Sequence, residues 1–433
     1  MSTRQNLRNH RGRIAVVDGL RTPFARIATH YRDLSAIDLG ALAVRELMKR
    51  NQLRPQDVDQ LVYGMTVMIP EAPFIAREIA LQLGLHDLDA YSITRACATS
   101  FQTAASAAES ILAGSAEVVI AGGTDSTSSV RLPMSAKFSS TLRDVSFARS
   151  AGERLKLLAT LRPGDILPRQ PSITEFSVGE TMGQSTEKMV RKWGVSRAEQ
   201  DDLAHASHSN AARAWREGRL DDQVMTVDLP TGPLKADNLV RMQSERASYD
   251  RLKPVFDTSG SGSVTAGNAS PLTDGAAALL LMSEARAQAE GREVLGYIRS
   301  YAFAAKTPQD DLLMGPVKAA PIAMARAGLT LADLTLVDMH EAFAGQLACN
   351  LRGLASDRYA RDELGLDKAL GEIDRSLLNV NGGSLAYGHP FGATGARVIA
   401  QALHELKRRG GGFALTTACA AGGIGAAMVL EAD

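Results

Sequence analysis

RACATSFQTAASAAESILAGSAEVVIAGG, residues Arg95 to Gly123, decides the fold. Cys97 stands where a strand-like run gives way to the helix-like TSFQTAASAAESILAG, and AEVVIAGG then reads as a short buried strand ending on paired glycines. From His389 to Cys419 the chain runs HPFGATGARVIAQALHELKRRGGGFALTTAC. That is the same order of events: a reactive group, a helix, a buried strand. The likeness lies in layout and small residues rather than in repeated words. It points to a duplicated α/β unit with reactive groups at equivalent helix entrances.

The same alternation extends outward from both stretches. IAVVDG reads as a strand, LSAIDLGALAVRELMKR as an amphipathic helix, VDQLVYGMTVM as a strand with its exit loop and FIAREIALQLG as a helix. In the last third, TLVDMHEAFAGQLACNL suggests a strand end leading into a helix, and the chain closes on a hairpin of two buried strands. Such alternation favours an α/β architecture. At 433 residues the chain exceeds one ordinary core and predicts two or three closely packed units.

Hydrophobic residues make up 45% and charged residues 22%, the profile of a soluble globular protein. Lys+Arg and Asp+Glu each total 48, so the basic excess of a nucleic-acid binder is missing. Cys97, Cys349 and Cys419 are odd in number and far apart, which argues for a reducing compartment over a disulfide framework. The basic N-terminus lacks an apolar signal, and no run approaches the ~18 apolar residues of a membrane span. A cytoplasmic setting is expected. Between Ser126 and Gln170, Arg131, Lys137, Arg143, Arg149, Arg154, Lys156, Arg162 and Arg169 are scattered among apolar residues. This is either a solvated helical face or a basic amphipathic surface for a partner or an acidic membrane.

Four stretches carry chemistry. A thiolate of Cys97 at a helix entrance would meet unpaired N–H groups, which predicts a pKa below the usual ~8.5; the alternative is a buried structural cysteine. In NGGSLAYGHPFGATG, His389 suits a base because imidazole titrates near neutrality. The alternative is a phosphate-cradling turn, although the stretch lacks GK[ST] and its glycines do not follow a strand. In TTACAAGGIGAAMVLE, Cys419 leaves a strand at a glycine turn, facing either a cavity or a packed hairpin. In MHEAFAGQLACN, His340 and Glu341 fall where a strand ends, as functional groups or as a core-edge polar pair, and Cys349 reads as packing. His205 and His208 have the spacing of a metal pair but no third ligand, so no metal site is expected.

RTPFAR, TRACATSFQ, TAGNASPLTDGAAA, HEAFA, YGHPFGATGAR and CAAGGIGAAMVLE, in that order between Ile14 and Glu431, resemble the thiolase family. Within it, HEAFA in place of NEAFA and the insertion resemble the thiolase (β) subunits of fatty-acid oxidation trifunctional complexes. The resemblance implies two similar α/β halves packed as a five-layered αβαβα core with an inserted loop domain. Residues 1–125, completed by about 272–293, would form one half and 294–433 the other, with 126–271 as the loop domain that binds coenzyme A. It implies a 3-ketoacyl-CoA thiolase of β-oxidation. The alternatives are an acetyl-CoA acetyltransferase and a non-catalytic acyl-CoA or lipid carrier on the same scaffold. A decarboxylating ketoacyl synthase has no counterpart of Cys419.

By the same resemblance Cys97 is the nucleophile, His389 its base, and Cys419 the acid/base at the acetyl α-carbon. His340 helps form an oxyanion hole, and the backbone N–H groups of Cys97 and Ala421 form a second. Ser270 would bond the pantetheine arm, Met182 line the tunnel and Arg241 lie beside the nucleotide. Ala421 stands where many relatives have glycine, and Thr181 where short-chain thiolases have histidine. Coenzyme A is expected as a substrate, with no permanently bound cofactor. A homodimer core, an α subunit with hydratase and dehydrogenase activities and peripheral membrane contact are the partners implied.

Overall fold

In the computed structural model, residues 7–9, 12–130, 134–167 and 174–433 are described. The first third alternates as its pattern predicts. Strands β1 (Gly12–Arg21), β2 (Gln60–Gly64), β3 (Asp89–Ser92) and β4 (Val118–Asp125) are interleaved with helices α1 (Ala36–Arg50), α2 (Ile75–Gln82) and α3 (Thr99–Ala113). Helix α1 opens on a capping box between Ser35 and Asp38 and closes on Lys49 and Arg50, charges that suit both ends of its dipole. Strand β4 does not stop at Gly122–Gly123 but runs on to Asp125. The glycines serve close approach instead: a Cβ on Gly122 would strike the Ala277 carbonyl, and one on Gly123 the Gly392 carbonyl.

Contact density divides the chain into two compact units, Met1–Ser129 with Glu175–Asp433, and Val130–Thr174. The small unit holds α4 (Ala136–Phe147), α5 (Ala151–Leu158) and α6 (Pro163–Ile166). Its helices are capped by Ser135 and Ser150, but only Thr141 of α4 and no residue of α5 is buried. Phe147 is 79% and Leu155 70% exposed. Arg131 and Arg169 of the basic stretch lie outside the described residues.

The large unit continues with α7 (Met182–Lys192), α8 (Arg197–Arg216), β5 (Thr273–Ser283), β6 (Gly296–Ala305) and α9 (Gly315–Ala327). Then follow β7 (Leu334–Met339), α10 (Ala344–Leu354), α11 (Thr394–Arg408), β8 (Gly412–Ala420) and β9 (Ile424–Ala432). The strands run β7-β8-β9-β6-β1-β5-β4-β2-β3. Read outward from the β1–β6 junction, β1-β5-β4-β2 and β6-β9-β8-β7 are the same arrangement. In both, two antiparallel pairings are followed outward by a parallel one. The duplication expected from layout is present. The antiparallel junction, Gly296 to Ile298 against Ile14 to Val16, joins the halves.

Period-two alternation sorts the strands' side chains into separate cores. Ala277, Leu279 and Leu281 of β5 share a cluster with Ala414 and Ala418 of β8 and Met428 and Leu430 of β9. Their neighbours point the other way: Ala278, Leu280 and Met282 pack toward α1 and α2, and Leu415, Ala427 and Val429 toward α9 and α10. Helices α3 and α11 touch strands of both halves, while α1 with α2 and α9 flank them. The layers are α, β, α, β, α. The RTPFAR motif is structural: Arg21 is 1% exposed and pairs Nη1 and Nη2 with the two oxygens of Asp237 at 2.5 and 2.8 Å. The same carboxylate accepts the Phe24 N–H.

Candidate active site

The two middle-layer helices meet at their entrances. Ala396 N–H donates to Ser100 Oγ at 2.8 Å, linking the first turns of α11 and α3. A Cβ on Gly395 would come within 2.5 Å of the Phe101 nitrogen, so only glycine allows that approach. Cys97 precedes α3 by two residues. Its neighbour Ala96 has φ +47°, the left-handed region, a conformation that costs roughly 1–3 kcal/mol and has to be held. The Ala96 carbonyl accepts from Thr66 Oγ1 at 3.0 Å and Thr99 Oγ1 at 2.7 Å, which holds it.

The thiol of Cys97 is not a resting thiolate. Burial pushes its pKa up to about 12, and the carboxylate of Asp125 pushes in the same direction. The N–H groups of Ala421 and of Cys97 itself face the sulfur and oppose the rise without overcoming it. The helix-entrance argument therefore has the wrong sign here. The residue keeps some solvent contact, but its sulfur is desolvated by the surrounding atoms, and desolvation exceeds the helix-end effect. Asp125 is itself fully buried and raised to about 6. It accepts N–H bonds from Val67 at 2.7 Å and Gly392 at 2.5 Å.

Cys419 is the penultimate residue of β8, opposite Gly425 of β9, and is 1% exposed. Burial raises its thiol pKa well above the usual value, and proximity to Cys97 adds to the rise. The following turn needs left-handed backbone at Gly422 and Gly423, and Gly422 N–H donates to Glu175 Oε2 at 2.6 Å. Ala421, just before these glycines, turns its N–H toward Cys97.

His340 and His389 lie face to face at an angle, with ring centroids 4.2 Å apart. Both are buried, and both Nε2 atoms lack a hydrogen-bond partner among the described residues. His340 Nδ1 lies 2.9 Å from Ser384 Oγ and His389 Nδ1 lies 2.7 Å from Thr394 Oγ1. Burial, then the charge of Arg397, lowers His389 to about 3. Burial, then His389 and Arg397, lowers His340 well below its ordinary value. Both imidazoles are therefore neutral. Glu341 turns away from them, accepting from Ser207 Oγ at 2.6 Å, Asn379 Nδ2 at 2.6 Å and Leu385 N–H at 3.2 Å. A cavity of about 330 Å³ borders Glu341, Ser207 and Asn379 rather than the thiols.

Of the expected coenzyme A contacts, Ser270 donates its backbone N–H to Ala342 at 2.9 Å, two residues beyond His340. Met182 opens α7 and packs, partly buried, on the cluster that holds Cys419 and Phe343. Arg241 stacks over Tyr249 at 4.8 Å. Thr181 caps α7, accepting from the Gln184 N–H. His208 Nδ1 accepts the Arg241 N–H and His205 Nδ1 bonds Ser244 Oγ, so one ring nitrogen of each is engaged locally. Among the described residues, no group of three His, Cys, Asp or Glu side chains could hold a metal ion. Cys349 is buried, as its helix face predicts. Asp125, Glu175, Ser384 and Thr394 escaped sequence reading. The last two lie inside a motif already singled out, where hydroxyls beside a histidine were the available signal.

Residues 14–285 match the thiolase N-terminal domain and residues 292–432 the thiolase C-terminal domain. A 3-ketoacyl-CoA thiolase of Pseudoalteromonas translucida (strain TAC 125) is 54% identical over 437 residues, covering 100% of each chain. Human mitochondrial 3-ketoacyl-CoA thiolase, solved in complex with CoA, superposes with a TM-score of 0.81 at 30% identity. That match covers 99% of this chain and 98% of the human one. An acetyl-CoA acetyltransferase of Bacillus anthracis also superposes with a TM-score of 0.81 at 30% identity, over 97% of this chain and 99% of its own.

Proposed function

The chain belongs to the thiolase family, and from that premise we propose that it cleaves 3-ketoacyl-CoA with coenzyme A to acyl-CoA and acetyl-CoA in fatty-acid β-oxidation. One observation carries the reading. The Cys97 sulfur faces two backbone N–H groups, while the second thiol, Cys419, stands close enough for their charges to repel. A nucleophile with a donor pair beside it suits acyl transfer; an additional buried proton donor suits breaking a carbon–carbon bond.

Cys97 attacks the 3-keto carbon as its proton passes to neutral His389. The oxygen that becomes negative is met by the N–H groups of Cys97 and Ala421. The bond between the α-carbon and the keto carbon then breaks, and acetyl-CoA leaves as its enolate. His340 stabilises the enolate oxygen, and loss of one such donor costs about 3 kcal/mol of barrier. Cys419, protonated because its pKa is raised, gives its proton to the α-carbon. Coenzyme A next gives its thiol proton to the Cys419 thiolate and takes the acyl group from Cys97, whose departing thiolate recovers the proton held on His389. The steps need neither metal nor redox group, and coenzyme A is a substrate. Ser270, Met182 and Arg241 are proposed to line its path, with Ser270 reaching the pantetheine arm and Arg241 the nucleotide.

The functional division follows: 1–125 with about 272–293 as one half, 126–271 as the loop domain and 294–433 as the other. Strand β5, inserted between β1 and β4, supports the return of 272–293 to the first half. The exposed Phe147 and Leu155 among basic residues favour a docking role for the insertion, and we assign it to an α subunit on a homodimeric thiolase core. Among the described residues no helix is long and apolar enough to cross a membrane. Three unpaired cysteines favour a cytoplasmic setting. Loss of 3-ketoacyl-CoA absorbance with coenzyme A, measured from C4 to C16, tests the activity. No turnover at any length would favour a carrier, and activity confined to C4 the acetyltransferase.

A further inference from the structure

The proposed reaction asks two neighbouring neutral imidazoles to do opposite things, and the inference that follows rests on that reading for its consequence but not for its geometry. His389 has to accept a proton at Nε2, whereas His340 has to donate one from Nε2. A neutral imidazole carries a single N–H, so each ring's tautomer depends on what its Nδ1 meets. Both meet a hydroxyl, which can donate or accept. The other commitment of each hydroxyl decides between them.

Thr394 Oγ1 lies 3.1 Å from the Pro390 carbonyl, which can only accept. The threonine proton goes there, so toward His389 Nδ1 the hydroxyl accepts. His389 thus carries its proton on Nδ1 and presents a lone pair at Nε2. Ser384 has the opposite constraint. Its Oγ lies 3.1 Å from Nη2 of Arg397, which can only donate. Among the described residues, the acceptor left for the serine proton is His340 Nδ1. His340 therefore carries its own proton on Nε2.

We propose that Ser384, oriented by the buried guanidinium of Arg397, is a positioning residue that holds His340 as an Nε2–H donor beside an oppositely protonated His389. The supporting group is fixed in turn. Arg397 is 1% exposed, with Nη1 3.7 Å from Asp338 Oδ1, and Gln401 Nε2 donates to Asp338 Oδ2 at 2.8 Å. Thr394, Arg397 and Gln401 fall at i, i+3 and i+7 of α11, on one face. One helix face therefore sets both rings.

The test uses the full-length enzyme labelled with 15N-histidine, with His340→Asn and His389→Asn variants to assign signals by solid-state NMR. The wild-type spectrum should show His340 protonated at Nε2 and His389 at Nδ1. Ser384→Ala should shift His340 toward a tautomer mixture, and Ser384→Thr, which keeps a hydroxyl, should restore it. In parallel, kcat for cleavage should fall by about 10- to 100-fold in Ser384→Ala with KM little changed, and acyl exchange onto Cys97 should fall far less. Wild-type His340 protonated at Nδ1, or a spectrum unmoved by Ser384→Ala, would overturn the proposal. The wild-type spectrum decides the matter if the alanine variant does not fold, and it does so whether or not the thiolysis assignment holds.

Discussion

Asp125 accepts the backbone N–H of Gly392 at 2.5 Å. This bond ties the end of β4 to the loop that carries His389, and it leaves a buried carboxylate facing Cys97. The charge is one reason the thiol resists ionisation. Alkylation of Cys97 by iodoacetamide, followed on its peptide by mass spectrometry, should rise about tenfold per pH unit from pH 6 to 9 without a plateau. Asp125→Asn should accelerate it severalfold at pH 8. A plateau near pH 7 would mean a low thiol pKa and would sink the neutral resting state.

The same carboxylate predicts a pH-dependent stability. Its folded pKa, about 6, lies above its ordinary value of 3.8. Its stabilising contribution is thus complete below about pH 4, in the protonated form, and is lost as pH rises through 6. Relative to Asp125→Asn, the wild type should lose about 2 kcal/mol between pH 4 and pH 7. Urea unfolding of both proteins at the two pH values measures this. A difference that stays constant across that range would contradict the assignment.

Gly395 is predicted to tolerate no side chain. A new Cβ would meet the Phe101 nitrogen at 2.5 Å, Phe101 Cδ2 at 2.8 Å and the Ser100 carbonyl carbon at 3.0 Å, the first and last being backbone atoms of α3. Backbone cannot swing aside, so Gly395→Ala should destabilise by about 2 kcal/mol by forcing the helix entrances apart. The denaturation midpoint reports it. An unchanged midpoint would show that the entrances separate freely.

Cys419→Ala separates the two halves of the chemistry. Acyl transfer from a simple thioester onto Cys97 needs no carbanion and should persist, while carbon–carbon cleavage should fall by at least about 100-fold. Cleavage at the wild-type rate would remove Cys419 from the mechanism.

Much of this was readable from residue order alone. The helix and strand at 99–125 and their counterparts at 394–420 follow from periodicity, and their pairing follows from two similar layouts. The proposal that Cys97, His340, His389 and Cys419 form one site rests on the resemblance of six ordered motifs, and the structure pairs His340 with His389 and Cys97 with Cys419. The sign of the Cys97 shift was not legible, because it depends on desolvation and on Asp125, which local sequence places at the fading end of a strand. Gly122 and Gly123 looked like a strand terminus for the same reason: the carbonyls of Ala277 and Gly392 that require glycine there come from residues more than a hundred positions away. Ser384 and Thr394 were in plain view, but their roles depend on Arg397 and the Pro390 carbonyl, and so on packing.

The most direct measurement is acid quenching of the enzyme during turnover of a 3-ketoacyl-CoA without added coenzyme A, followed by peptide mass spectrometry. A thioester two carbons shorter than the substrate should sit on Cys97, with one equivalent of acetyl-CoA released. The same acyl group on another residue, or acetyl-CoA release with no acyl-enzyme at all, would contradict the account.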